Sequence, residues 1–68
     1  METFGERLKR LREERGLTQE ELADRLNIAR SLVARFETDV RMPTALTLKQ
    51  MRDILGATVD YLLVGEEA

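Results

Sequence analysis

Apolar residues recur along the chain at spacings of three and four and almost never alternate, the pattern of amphipathic helices rather than strands. Phe4, Leu8 and Leu11 share one face of a helix predicted over about Thr3 to Glu14. Thr3 and Glu6 open it with capping-box spacing, where hydroxyl and carboxylate each satisfy an orphaned amide. Gly16 supplies a left-handed stop. Thr18 and Glu21 repeat the box before a second helix, Gln19 to Leu26, whose stripe is Leu22, Ala23 and Leu26. A third helix is predicted over about Arg30 to Thr38, followed by the irregular stretch TDVRMP. Thr44 caps a fourth, with Leu48, Met51, Ile54 and Leu55 inward and Gly56 as its stop. Thr58 caps a short fifth, whose Val59, Leu62 and Leu63 are expected to pack inward, and the tail Gly65 to Ala68 is expected to fray. The prediction is a single compact all-α domain of five short helices over residues 1–68.

Sixty-eight residues make a core of marginal size. There is no cysteine and no histidine to staple it, so stability rests on helix packing, on a partner subunit, or on both. Absent cysteine fits a reducing compartment. The charged, amphipathic start METFGERLKR is not a signal peptide. No apolar run approaches the ~20 residues of a membrane span. A cytoplasmic location, with no membrane partner, is therefore expected. The formal net charge is −2, but residues 1–42 hold nine basic and nine acidic side chains, so the excess lies in the C-terminal part. A negative total leaves nucleic acid open, because binding depends on where the arginines sit.

The stretch LTQEELADRLNIARSLVARFE, Leu17 to Glu37, carries the functional signal. Two helices crossing closely need a small residue at the contact, and Ala23 stands there. The turn needs a residue tolerant of positive φ, which Asn27 supplies, though glycine does so more easily. Ile28 anchors the turn, and Val33 and Phe36 lock the second helix to the core. Wound at 100° per residue, the third helix puts Leu32, Val33 and Phe36 on one side and Arg30, Ser31, Ala34, Arg35 and Thr38 on the other. The outer face suits a major groove. Arginine bonds guanine O6 and N7 as a fork, serine takes either hydrogen-bonding pattern, and Ala34 permits close approach to a thymine methyl. The alternative is an ordinary solvated face.

In RLREERGLTQEELADRLNI, ARFE, RMPT and ILGATVDYLL the chain resembles the lambda-repressor/Cro-like helix-turn-helix family, also called the Xre family, over about Phe4 to Gly65. The resemblance implies five helices, with the third, about 30–38, in the major groove of double-stranded DNA. It also implies a homodimer on a roughly palindromic operator with half-sites ~34 Å apart. It implies base contacts from Arg30, Ser31, Ala34 and Arg35. Gln19 matches a residue that bonds a phosphate and steadies the first side chain of the recognition helix. Arg12 and Glu37 match a buried ion pair that also presents the arginine to the DNA backbone; a purely structural bridge is the alternative. Arg41 and Thr44 match phosphate-contacting positions, and Thr38 is placed with them at the backbone.

The chain departs from the family pattern in places. Asn27 and Asp39 stand where glycine is usual, Ala29 replaces the usual Ser or Thr cap at a cost of ~1 kcal/mol, and Leu32 is apolar where polar residues are common. Tyr61, Val64 and the Leu46 region are left as a small dimerisation patch. Two functions stay open. One is a sequence-specific, repressor-like regulator of transcription. The other is a protein-interaction module of anti-repressor or antitoxin type on the same fold, with weakened DNA binding. Catalysis is not expected: there is no His or Cys nucleophile–base pair and no Gly-rich phosphate loop. No metal, cofactor or small-molecule ligand is implied.

Overall fold

The computed structural model describes residues 1–65. Five helices form in the order α1 (Phe4–Glu14), α2 (Gln19–Leu26), α3 (Arg30–Glu37), α4 (Ala45–Leu55) and α5 (Val59–Val64). Each start has a local cause. Thr3 is extended, its hydroxyl accepts the Glu6 N–H at 3.2 Å, and the Glu6 carboxylate accepts the Thr3 N–H at 2.9 Å. Thr18 and Glu21 do the same for α2. Thr44 and Thr58 cap α4 and α5 through Thr47 and Tyr61. Ala29 leaves α3 with no side-chain cap.

The first three helices end alike, by a 6→1 and a 5→2 backbone bond around a left-handed residue. Gly16 holds that position after α1, Asn27 (φ 57°) after α2 and Asp39 (φ 62°) after α3. Asn and Asp tolerate this region better than other non-glycine residues. Helix α3 is one residue shorter than predicted: Thr38 lies just past it, with its hydroxyl turned back to the Ala34 and Arg35 carbonyls.

Helix α3 packs against α1 and α2, α5 against α1 and α4, and α4 against α2. Leu8, Leu22, Val33, Met51 and Leu62 are fully buried at the centre, ringed by Phe4, Leu11, Ala23, Leu26, Phe36, Leu48 and Leu55. Burial of each large side chain contributes about 1.5–3 kcal/mol. Leu63 corrects the predicted inward face of α5: it is 43% exposed, because a six-residue helix between α1 and α4 buries only the stripe through Leu62. Val59 is half-buried. Tyr61 is half-buried too, its hydroxyl accepting from Arg10 at 2.7 Å. Of the tail expected to fray, Gly65 closes α5 at φ 82°, and residues 66–68 lie outside the described part.

Two polar ties hold α1 in place. Arg7 is buried and donates from Nη1 to the Leu62 carbonyl at 2.8 Å, covering the end of α5. Asp39 reaches the start of α1, where it accepts the Gly5 N–H at 2.8 Å and the Thr3 hydroxyl at 2.7 Å. The Thr3 hydroxyl first, then the Gly5 amide, holds the Asp39 carboxyl below the usual carboxylate range. A depressed folded pKa means that this tie is fully present above the unfolded value of about 3.9 and is lost as pH falls through the lower folded value. The expected result is that Asp39→Asn lowers Tm at pH 7 and narrows the Tm difference between pH 7 and pH 3, as read by circular dichroism.

Candidate nucleic-acid interface

The structure brings Arg12, Gln19 and Arg30 together around one groove. The first turn of α3 emerges beside the start of α2, and Arg30, Ser31 and Arg35 are exposed along it, with Ala34 half-buried between them. Thr38 and Arg41 are exposed beyond the end of the helix. Arg41 sits in the loop folded back on α3, its amide donating to the Arg35 carbonyl at 3.3 Å. Thr44 is exposed at the head of α4, with its hydroxyl engaged by Thr47 at 3.1 Å.

Beneath this face Arg12 and Glu37 meet in a forked ion pair. Arg12 Nε donates to Oε2 at 2.6 Å and Nη2 to Oε1 at 3.0 Å, while Nη1 donates to the Leu17 carbonyl at 2.8 Å. The side chains are 9% and 3% exposed. Glu37 holds Arg12 even more firmly protonated than a free guanidinium. Gln19 joins from α2, donating Nε2 to Glu37 Oε1 at 3.0 Å. With three of its N–H groups used, Arg12 has two left. A groove of about 530 Å³ opens above the pair, lined by Arg12, Gly16, Thr18, Gln19 and Arg30 among others.

The arrangement is chemically apt for a polyanion. The Glu37 charge is matched by Arg12, and the Asp39 charge is directed at the N-terminus of α1, where the helix dipole and two donors receive it. Arg30, Arg35 and Arg41 have no ion-pair partner among the described residues. Two carboxylates, Glu13 and Glu20, also line the groove with Arg12 and Arg30. Of the residues expected to form a dimer patch, two are exposed and one is half-buried. Leu46 and Val64 are 67% and 64% exposed, Leu63 joins them on the surface, and Tyr61 is partly taken up by α1.

Sequence reasoning missed the Asp39 tie, the burial of Arg7 and the Gln19–Glu37 bond. The first has a trace: an acid where a left-handed turn is needed, close in space to a helix start. The other two depend on tertiary placement and have no local signature.

Residues 8–62 match the helix-turn-helix family. The SPbeta prophage-derived uncharacterized HTH-type transcriptional regulator YonR of Bacillus subtilis is 40% identical over 65 residues, covering 96% of this chain and 60% of its own length. The P22 c2 repressor with synthetic operator superposes with a TM-score of 0.92 at 23% identity, over 97% of this chain and 100% of that one, a likeness of fold. SinR in complex with DNA superposes with a TM-score of 0.80 at 28% identity, over 88% of this chain and 97% of that one. The chain spans about half the length of several curated relatives it matches. No helix among the described residues is long and apolar enough to cross a membrane. The chain belongs to the helix-turn-helix family, in its lambda-repressor-like branch.

Proposed function

We propose that the chain is a sequence-specific DNA-binding regulator of transcription that lays α3 in the major groove and acts as a repressor by occupying its operator. The observation that carries this reading is the outer face of α3. Arg30, Ser31 and Arg35 are exposed and rigidly backed by Val33, Phe36 and the Arg12–Glu37 pair. Arg30 and Arg35 read guanine edges, Ser31 and Ala34 fill the step between them, and Arg12, Gln19, Thr38, Arg41 and Thr44 line up on phosphates. SinR has been solved in complex with DNA.

The body is 31 Å in its longest dimension, so one copy addresses one half-site of a groove repeating every ~34 Å. A homodimer through Leu46, Val64 and the exposed edge of Tyr61 doubles the phosphate contacts and sets the half-site spacing. The protein works in the cytoplasm, where the chromosome is. No step of this activity needs catalysis, metal or cofactor.

The test is selection from a random-sequence duplex pool at low and physiological salt. An enriched palindrome whose affinity falls steeply with salt is expected, and Arg30→Glu is expected to lower affinity for it at least a hundredfold while leaving Tm within ~2 °C. A second reading has one observation in its favour: the SinR protein has also been solved with SinI protein. On that reading the chain is a protein-binding module, no duplex is enriched, and Arg30→Glu is silent.

A further inference from the structure

A second cleft shares no lining residue with the groove above the Arg12–Glu37 pair. It holds about 290 Å³ between the last turns of α1 and the junction of α4 with α5. That is the small end of the ~300–1,000 Å³ usual for ligand sites. Buried Leu11 and Leu55 line it, together with Arg10, Glu14, Arg15 and Tyr61. Arg15 lies against a glycine that also lines the cleft. Gly56 ends α4 at φ 69°, and a Cβ there would overlap Arg15 Nη2 and stand 3.1 Å from Cζ. The guanidinium, and not only its stem, thus stands at the wall of the cleft, by the C-terminal end of α4. Arg15 has no ion-pair partner among the described residues. Arg10 is in the opposite condition. It donates to both carboxylate oxygens of Glu2, to Glu14 and to the Tyr61 hydroxyl, at 2.7–3.1 Å. The Tyr61 oxygen is the acceptor in that bond, so its own hydrogen is left for another acceptor, and the adjoining cation makes it a stronger donor. Glu14, the one carboxylate lining the cleft among the described residues, is already bridged to Arg10 at 3.0 Å.

We propose that this cleft binds a small organic monocarboxylate, with its carboxylate held by the Arg15 guanidinium and the Tyr61 hydroxyl and its apolar body over Leu11 and Leu55. A planar guanidinium matches a carboxylate as a two-pronged donor. Two arginines against one glutamate leave a single positive charge in the wall, which suits a monoanion. The C-terminal end of α4 is the negative end of a helix dipole, so it favours Arg15 there and disfavours a dianion such as phosphate. None of the side chains assigned above to DNA lines this cleft. The ligand can therefore bind whether or not α3 lies in a groove, and the site stands or falls independently of the DNA reading.

The test is a titration of the 15N-labelled protein with sodium benzoate at constant ionic strength, followed by backbone amide shifts. Saturating shifts are expected, centred on residues 14–16 and 55–61, with a Kd on the order of 1 mM, as befits a fragment-sized ligand. Arg15 is exposed, so Arg15→Gln is expected to keep the fold, checked by circular dichroism, and to weaken benzoate at least tenfold. Benzamide keeps the ring without the charge, and acetate keeps the charge without the ring. Each is expected to bind at least tenfold more weakly than benzoate. Shifts that fail to saturate, that centre on Arg30 and Arg35, or that persist in Arg15→Gln mean that benzoate meets only a generally positive surface, and they overturn the site. Benzamide or acetate binding as tightly as benzoate overturns the class of ligand.

Discussion

Glu37→Ala is expected to abolish the cooperative thermal transition or lower Tm by roughly 15–30 °C. The substitution leaves the Arg12 guanidinium buried with no counter-charge, its side chain only 9% exposed. Breaking a buried pair from one side costs about 3–5 kcal/mol, and for a domain this short each kcal/mol is worth about 4–8 °C. Total stability in small domains lies near ~5 kcal/mol, so the loss approaches the whole. Arg12→Ala is expected to be nearly as severe, since Glu37 then keeps only Gln19, and the Leu17 carbonyl loses its donor. The informative control is the double replacement Arg12→Met with Glu37→Leu. It removes both charges together and is expected to recover more than half of the lost Tm, because an apolar pair of similar volume carries no desolvation cost. Thermal melts of the single and double variants by circular dichroism decide it; a single variant that melts within 5 °C of wild type rules the argument out.

The second large effect is expected at Gly5. This residue is helical and buried, and its backbone lies directly against the last turn of α3. A Cβ there would stand 2.6 Å from the Glu37 carbonyl carbon and 2.7 Å from the Phe36 carbonyl oxygen, and would overlap the Glu37 carbonyl oxygen. These are backbone atoms, so no side-chain rotation relieves the clash. In an exposed helix Gly→Ala is favourable by about 1 kcal/mol. Here the sign reverses, because α1 must be pushed off α3, and overpacking of this kind costs about 1–3 kcal/mol or more. The same displacement pulls the Gly5 amide from Asp39. Gly5→Ala is accordingly expected to lower Tm by roughly 10 °C or more, with reduced protection of the α1 amides in hydrogen exchange. A variant more stable than wild type contradicts the close approach.

How much of this was legible in the chain differs by scale. Helix positions were readable because their causes are local: Thr3, Thr18, Thr44 and Thr58 precede the stripes, and Gly16, Asn27 and Gly56 follow the first, second and fourth helices. The outer face of α3 was readable because one period decides it. Leu63 was misread because a six-residue helix has too few turns for a stripe to define its width, so burial is set by the neighbours α1 and α4. Gly5 drew no notice, since a glycine in the first turn of a helix looks like a weak helix former until a second backbone is placed against it. Asp39 stood out in the sequence only as an acid where glycine is usual. The structure instead gives it two tasks, the left-handed turn after α3 and the acceptor at the head of α1, which depend on contacts 34 and 36 residues away in sequence.

The buried anchoring of α3 has a consequence for how such a protein changes over generations. Everything that fixes the helix in the domain lies on its inner side: Val33, Phe36 and Glu37 are buried, and the turn after it is closed by Asp39. On the outer side, no side-chain hydrogen bond ties Ser31 or Arg35 to the rest of the domain among the described residues, and Ala34 has no polar atom to lose. Substitutions at 31, 34 and 35 therefore cost the scaffold almost nothing. If these three positions read bases as proposed, mutation there samples new operator preferences without first acquiring compensating changes elsewhere, so lineages of such a regulator part company in the sites they recognise while their interiors stay interchangeable.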